Sequence, residues 1–230
     1  MKGKLIIIEG IDGSGKATQT KKLVERLKFE GREVETFSFP RHGQKFFGVL
    51  VDQYLNNEFG DAAELDPRIS SLFFACDRFE VKEMLDKWLE SGKTVILDRY
   101  ATSNMGHQLS KIDNPEEKDK FLDWLIELEF KTFKIPEPDM VIFLDVDIPT
   151  VIHLIEQRSQ AGKEYIKGKK DGLENNLEHL QKARDTYRYL AGKFDYWHII
   201  DCVENGQLLP IEKIHEKIWE KIKKQNNPTH

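Results

Sequence analysis

A glycine-rich segment near the start of the chain contains the residues whose types and spacing favour a chemical role. Four residues separate Gly10 from Gly15 and Lys16, which is the spacing of a phosphate-binding loop. Glycines let successive backbone N–H groups point at phosphate oxygens, and the lysine ammonium can follow the terminal phosphates of a nucleotide. The residues predicted to bind these phosphates are Gly10, Asp12, Gly13, Ser14, Gly15, Lys16, Ala17 and Thr18.

The residue after Lys16 departs from the usual pattern of such loops. A Ser or Thr at that position supplies a hydroxyl that binds magnesium, whereas this chain has Ala17. Either Thr18 replaces the hydroxyl, or metal binding depends on carboxylates and water. The alternative interpretation is a turn that only connects a strand to a helix. The apolar run at 5–8 and the helical pattern after Gly15 favour the phosphate site.

Two arginines that follow the second and third predicted strands are further candidates for binding phosphate. Arg41 comes after the second strand, and Asp98-Arg99 comes after the third. Ligands of open parallel sheets lie beyond the carboxyl ends of the strands, so both positions suit an anionic ligand. An aspartate at a strand end can hold magnesium, and an adjacent arginine can neutralise a transferring phosphoryl group. The alternatives are a solvated loop arginine at 41 and a structural Asp–Arg ion pair at 98–99.

A basic segment at 158–171 is predicted to form a lid over a polyphosphate. Residues 158–170 include five basic side chains and one acidic side chain in a chain whose net charge is −5. Gly162 and Gly168 permit hinge-like motion of such a loop. An ordinary basic surface loop is the alternative interpretation.

The periodicity of apolar residues predicts the elements that position these groups. Strands are expected at 5–8, 33–39, 94–97, 140–146 and 196–202. Helices are expected from residue 15 and over 46–55, 66–90, 101–109, 121–130, 148–157, 171–192 and 211–222, followed by a frayed tail. Alternating strands and helices predict an α/β fold in three layers, with about five mostly parallel strands and helices on both faces.

Composition limits the classes of protein to which the chain can belong. The 230 residues form a single predicted domain, 1–230, without a linker. The net charge argues against a general nucleic-acid surface, and no apolar run is long enough to span a membrane. The chain enters its first strand without room for a signal peptide, and Cys76 and Cys202 have no metal-ligand spacing. A cytoplasmic protein is therefore expected.

A phosphate loop, arginines at two other strand ends and a basic lid together predict two anionic ligands brought end to end. Phosphoryl transfer between a triphosphate and a phosphate-bearing acceptor fits this arrangement better than simple hydrolysis does. The acceptor oxygen is already anionic at neutral pH, so catalysis requires positioning and charge neutralisation and no general base.

In these segments the chain resembles thymidylate kinase, a P-loop nucleoside-monophosphate kinase that makes dTDP from dTMP and ATP. The resemblance covers nearly the whole chain. It rests on residues 9–16, on Phe39-Pro-Arg41, on Phe74-Ala-Cys-Asp-Arg78, on Asp98-Arg-Tyr100 with Ser103-Asn104, and on 138–144. The order and spacing of these motifs are more specific than any one of them.

The resemblance implies a P-loop kinase fold, a magnesium cofactor with ATP as the phosphoryl donor, and a homodimer. The residues that it implies for catalysis are Asp12, Lys16, Arg99 and Arg158. Those for binding dTMP are Asp12, Phe39, Arg41, Phe74, Arg78, Arg99, Ser103, Asn104, His107 and Gln108, with Phe74 stacked on thymine and Arg78 and Asn104 at the base edge. Lid residues are Lys163, Lys167, Asp171 and Glu174, and the metal ligands, direct or through water, are Asp12, Asp98 and Glu174.

Three positions differ from the pattern of the family. Ala17 lacks the metal-binding hydroxyl, His107 replaces an aromatic residue that disfavours ribose, and the lid contains mostly lysine. The alternatives are therefore a kinase for another nucleoside monophosphate or for a nucleoside, and a nucleotide-binding regulator without catalytic activity. A guanine-reading Asn-Lys-x-Asp motif does not occur in the chain.

Overall fold

The computed structural model describes residues 2–62, 64–160 and 177–226 of the chain. The predicted lid residues Lys163, Lys167, Asp171 and Glu174, and the side chain of Arg158, lie outside this description. Their assigned roles therefore stay predictions. The remaining predicted site residues all fall within the described part of the chain.

Five parallel strands form the central sheet, as the sequence predicts. They are β1 (Leu5–Glu9), β2 (Val34–Ser38), β3 (Thr94–Asp98), β4 (Met140–Asp145) and β5 (Trp197–Asp201), in the order β2-β3-β1-β4-β5. All residues of β1 and β4 are buried, because a parallel sheet is covered on both faces. Ile8 pairs with Asp98, so the carboxyl ends of the central strand β1 and its neighbour β3 lie side by side.

Helices connect the strands and cover the sheet. They are α1 (Lys16–Phe29), α2 (Lys45–Leu55), α3 (Pro67–Phe79), α4 (Lys82–Glu90), α5 (Ala101–Leu109), α6 (Pro115–Ile126), α7 (Ile148–Gln160), α8 (Leu177–Lys193) and α9 (Ile211–Asn226). Helix α1 contacts α9, whereas α5 contacts α3, α6 and α8. Among the described helices, none has the length and apolar character needed to cross a membrane.

The single helix predicted over 66–90 is wrong, because the structure divides it into α3 and α4. Val81 has φ −112° and ψ 6°, which ends the helical path without a glycine or a proline. The break lets Glu80 accept a hydrogen bond from Arg41 while Leu85 and Leu89 of α4 remain in the core. A long-range ion pair, which local periodicity does not report, therefore accompanies this boundary.

Three smaller features also differ from the predictions. Helix α6 begins at Pro115 and continues into a π-helical segment, Glu127–Thr132, where one amphipathic helix over 121–130 was expected. A short antiparallel hairpin, β6 (Val203–Glu204) and β7 (Gln207–Leu208), follows β5. The tail predicted to fray from residue 223 is still helical up to Asn226.

Gly106 allows α5 to lie against Tyr187 of α8, and a larger side chain should destabilise the fold. A Cβ at Gly106 would lie 2.2 Å from Cζ of Tyr187, which is far inside van der Waals contact. We expect Gly106→Ala to lower the free energy of unfolding by about 1–3 kcal/mol in urea denaturation. Gly192→Ala is the matched control, since a Cβ there meets nothing within 4 Å. We expect the control to keep or raise stability, and equal losses in both variants would contradict the packing argument.

Candidate active site

A cavity lies beyond the carboxyl ends of β1, β2 and β3, where the sequence predicted ligand binding. Its walls come from the loops after these strands and from α2, α3, α5 and α8. The lining residues are Asp12, Phe39, Pro40, His42, Leu55, Phe74, Arg78, Arg99, Tyr100, Ser103, Asn104, His107, Gln108 and His179. Every residue that the sequence assigned to dTMP binding lines this cavity except Arg41.

The loop after β1 has the backbone expected of a phosphate cradle. Gly15 has φ +90°, a left-handed conformation that glycine adopts without strain, and α1 begins at the next residue. The ammonium of Lys16 donates to the carbonyl of Ile11 at 3.0 Å across the loop. The buried hydroxyl of Ser14 finds no hydrogen-bond partner among the described residues. An unpartnered polar atom inside a glycine-rich loop fits a ligand that supplies the missing partner.

A chain of charged and polar side chains connects this loop to the cavity. Arg99 forms an ion pair with Asp12 and donates from Nη1 to Nε2 of His107 at 3.1 Å. Nδ1 of His107 lies 3.3 Å from Nε2 of His179. Lys16 completes the cluster, with its Nζ 4.0 Å from Asp12 Oδ1. Two cations therefore flank one carboxylate at the junction of the phosphate loop and the cavity.

The pKa values in this cluster follow from burial and from neighbouring charge. Burial alone would raise the pKa of Asp12, but the charges of Arg99 and Lys16 outweigh it and hold that pKa well below its ordinary value. Burial, followed by the charge of Arg99, keeps the pKa of His107 well below its ordinary value. His107 is therefore neutral at pH 7, and its Nε2 accepts from Arg99.

The ammonium of Lys16 should titrate near neutral pH, which predicts a pH-dependent interaction with nucleotide. Burial and then the charge of Arg99 lower the pKa of Lys16 to about 8. The free protein loses this charge as pH rises through about 8, so we expect kcat/KM for ATP to fall there. Bound phosphates stabilise the charged form, so the corresponding fall in kcat should occur at higher pH.

Lys16→Arg is the matched control for this pH profile. A guanidinium does not lose its proton in this range, so the variant should show no fall in kcat/KM near pH 8, whatever its absolute rate. A fall of the same size in both proteins would assign the titration to another group.

Glu9 holds the first turn of α5 against β1, a role that the sequence did not reveal. Its fully buried carboxylate accepts from the backbone N–H of Tyr100 and from the hydroxyls of Thr102 and Ser103. The hydroxyl of Tyr187 on α8 donates to the same carboxylate at 2.9 Å. Burial, followed by the negative charge of Glu9, raises the pKa of Tyr187 well above its ordinary value, so the phenol keeps its proton. This network fixes the residues on either side of Arg99.

Arg41 lies outside the cavity, in contrast to the position that the sequence indicated. It is 7% exposed and donates from Nε to Asp77 Oδ1 at 2.9 Å, from Nη2 to the Asp77 carbonyl, and also to Glu80. Nε and Nη2 of Arg41 are thus bound to Asp77 and Glu80 near the end of α3. The next residue, His42, lines the cavity in its place and is held by Asp52 through Nδ1.

The residues near the phosphate loop fit a magnesium ion that is held mainly by substrate and water. Among the described residues no cluster of three His, Cys, Asp or Glu side chains could form a complete metal cage. Magnesium bound with a nucleotide typically uses one or two carboxylates, phosphate oxygens and several waters. Asp98 at the end of β3 and Asp12 in the loop are carboxylates of this kind, whereas Ala17 and the exposed Thr18 lie on the first turn of α1.

Several cavity residues were missed by sequence reasoning. Pro40, His42, Leu55, Tyr100 and His179 line the cavity without having been predicted. Pro40 and Tyr100 stand directly beside predicted residues, and inclusion of motif neighbours would have found them. His179 comes from α8 and is close to His107 only because α5 and α8 pack together, so no local sequence signal exists for it.

Comparisons with known proteins agree with the geometry of this site. Residues 8–218 match the family model described as thymidylate kinase. A probable thymidylate kinase of Pyrococcus abyssi is 31% identical over 225 residues, covering 97% of both chains. The thymidylate kinase of Mycobacterium tuberculosis is 31% identical over 208 residues, covering 89% of this chain and 94% of its own length.

A solved structure, that of thymidylate kinase from Candida albicans, has the same fold. Its TM-score is 0.75 at 24% identity, and the match covers 98% of this chain and 93% of that one. The family model spans most of the chain, and the relatives exceed 30% identity over nearly full length. The chain therefore belongs to the thymidylate kinase family.

Proposed function

We propose that this protein is an ATP-dependent thymidylate kinase that transfers the γ-phosphoryl group of ATP to dTMP, giving dTDP and ADP. The observation that carries the proposal is the cluster of Lys16, Asp12 and Arg99 between the phosphate loop and the cavity. A triphosphate in the loop and a monophosphate in the cavity would meet at these two cations. Phe74, Arg78 and Asn104 also line the cavity, and in this proposal they would meet the base of the acceptor.

Arg99 would transfer its contact from Asp12 to the acceptor phosphate when substrate binds. In the structure the guanidinium of Arg99 is paired with the Asp12 carboxylate. A phosphate dianion carries more negative charge than this carboxylate and would compete with it for the guanidinium. Lys16 would move from the Ile11 carbonyl to the β- and γ-phosphates. The two side chains would then neutralise charge on the group in transit, while the fixed loop and helix α5 hold donor and acceptor in line.

Magnesium would supply further neutralisation of the β- and γ-phosphates. Asp98 and Asp12 are the described carboxylates that fit it, with Glu174 as the predicted third ligand. Because Ala17 has no hydroxyl, substrate oxygens and water would have to supply the remaining ligands of the ion.

We also propose a cytoplasmic homodimer. Helices α2 and α3 expose large apolar side chains, with Phe46 70% and Ile69 47% exposed, together with Leu72 and Phe79. Exposed apolar groups on adjacent helices favour a protein interface, and the family resemblance implies a second copy of the same chain. Analytical ultracentrifugation of the wild type and of a Phe46→Glu, Ile69→Glu variant would test the dimer.

An acceptor panel tests the proposed reaction directly. ADP release from ATP is measured with dTMP, dUMP, dCMP, UMP and thymidine as acceptors, and dTMP is expected to react fastest. A nucleoside acceptor requires a carboxylate base, and the lowered pKa of Asp12 makes that carboxylate a weak one. Reaction of thymidine without reaction of dTMP would replace the proposal by a nucleoside kinase. ATP binding without transfer to any acceptor would indicate a regulator.

A further inference from the structure

Glu129 is a fully buried carboxylate behind the base end of the cavity, and the sequence predictions gave it no role. It lies in the π-helical segment Glu127–Thr132 that follows α6. A buried carboxylate is costly unless charged or polar partners compensate for its lost hydration. Its partners are Arg78 of α3 and Asn104 of α5, and both of these residues line the cavity.

The contacts of Glu129 determine which atoms of Asn104 can meet a ligand. Nδ2 of Asn104 donates to Glu129 Oε1 at 3.0 Å and to the Ser71 carbonyl at 3.1 Å. Both partners are acceptors, so they assign the orientation of the amide and use both of its hydrogens. The only polar atom of this side chain that remains for a ligand is Oδ1, an acceptor.

The same carboxylate also fixes the donors of Arg78. Nε donates to Glu129 Oε2 at 3.1 Å, and Nη2 forms an ion pair with Oε1. The guanidinium is planar and has no acceptor, so any further contact that it makes to a ligand is a donated hydrogen bond. Two contacts to one carboxylate leave this plane little rotational freedom.

We propose that Glu129 is a positioning residue that sets the order of acceptor and donor at the base end of the cavity. Asn104 Oδ1 then requires a ring N–H, and Arg78 requires an adjacent carbonyl oxygen. A pyrimidine imide edge, as in thymine or uracil, supplies both. Cytosine has an unprotonated ring nitrogen and an amino group at the corresponding positions. It would place an acceptor against Asn104 Oδ1 and a donor against Arg78. The inference rests on the proposed function, because it assumes that this cavity holds the acceptor base.

Glu129→Gln tests the inference through the ratio of kcat/KM for dTMP to kcat/KM for dCMP. A glutamine can present either an oxygen or an amino group to Asn104 and carries no charge for Arg78. We expect the ratio to fall by about tenfold or more, because mispaired buried polar groups cost about that factor. The KM for ATP and the kcat with dTMP should stay within about twofold of wild type. Contacts to the base are equally strong in the ground state and in the transition state, so their loss changes neither quantity. An unchanged ratio in the folded variant would overturn the proposal.

Asp77→Asn is the matched control. Asp77 is also a buried carboxylate bound to an arginine and lies on the same helix as Arg78, but it does not line the cavity. Its replacement should lower the melting temperature and leave the dTMP-to-dCMP ratio unchanged. A ratio that falls equally in both variants would show that general loosening, and not Glu129, is responsible.

Two further variants keep the test decisive. Glu129→Asp keeps the charge opposite Arg78 but withdraws the oxygens by one methylene. It replaces Glu129→Gln in the test if that variant fails to fold, and its dTMP-to-dCMP ratio should also fall.

In an Asn104→Ala background, the effect of Glu129→Gln on the ratio should shrink markedly, because the effects of coupled residues are not additive. Additive effects would contradict action through Asn104.

Calorimetric binding of dTMP and dCMP separates failure of the inference from failure of the proposed function. If wild type binds dTMP more tightly than dCMP and Glu129→Gln loses that preference, the inference holds even where no phosphoryl transfer is seen. If wild type transfers phosphate to dTMP and the variant keeps the full preference, the inference fails while the proposed function stands.

Discussion

Arg99→Ala is expected to lower kcat/KM for dTMP by about 10³-fold or more, or about 4 kcal/mol of transition-state stabilisation. Arg99 is the side chain that connects the phosphate loop to the cavity, through its ion pair with Asp12 and its contact with His107. Removing it takes away a cation at the transferring group. It also leaves the Asp12 carboxylate beside two phosphates without that counter-charge, so repulsion adds to the loss.

Steady-state rates of ADP release at saturating ATP measure this effect, with Arg26→Ala as the matched control. Arg26 on α1 is likewise paired with a carboxylate, Glu216 on α9, at 2.5 Å, but it does not line the cavity. The control should retain wild-type turnover. Near-normal activity in Arg99→Ala would remove this arginine from the mechanism.

The backbone at Arg99 separates a catalytic loss from a folding loss. Arg99 has φ +68°, a left-handed conformation that costs most residues about 1–2 kcal/mol and glycine very little. Arg99→Gly should therefore be more stable than Arg99→Ala in urea denaturation and yet equally inactive. If activity instead follows stability through the two variants, the arginine acts by holding the loop and not by meeting phosphate.

The parts of the candidate site whose position the sequence could predict depend on local order along the chain. The buried strand β1, the glycine-rich turn and the beginning of α1 follow one another directly in the sequence. The loop from Gly10 to Lys16 is therefore recognisable without knowledge of tertiary contacts. Asp98 and Arg99 are likewise found because a strand must end before them, and parallel strands end at one edge of the sheet.

The parts that the sequence did not predict depend on partners distant in the chain. Arg41 has the correct residue type at a strand end, but Asp77, 36 residues later, binds its guanidinium outside the cavity. Glu9 meets Ser103 across 94 residues, and Glu129 meets Arg78 across 51. Periodicity and motif spacing carry no information on such pairs, because the energy of a buried charge depends on which groups the fold brings to it.

Lys16→Met is expected to lower kcat by about 10³-fold and at the same time to stabilise the fold. Lys16 is 8% exposed, and burial with the charge of Arg99 lowers the pKa of its ammonium to about 8. A folded-state pKa below that of the unfolded chain means that folding disfavours the charged form. Carrying the charge at pH 7 therefore costs the folded protein about 3 kcal/mol, which a methionine of similar length does not incur.

The sign of this effect defines the pH range in which it can be measured. Below pH 8 the lysine is charged in both states and its cost is fully present, whereas between about 8 and 10.5 the folded protein releases the proton and the cost disappears. The stability gained by Lys16→Met over wild type should therefore be largest at pH 7 and vanish by about pH 10.5. Lys22→Met, on the same helix but paired with Glu212 at the surface, should change neither turnover nor this pH dependence.

Loss of both turnover and stability in Lys16→Met would contradict the assignment. Such a result would mean that the contact of the ammonium with the Ile11 carbonyl holds the loop together, and that the charge is structural. Loss of turnover with a gain in stability has a different meaning. It indicates that the fold carries an unfavourable buried cation for the sake of the phosphates that it meets, as expected of a residue kept for catalysis and not for folding.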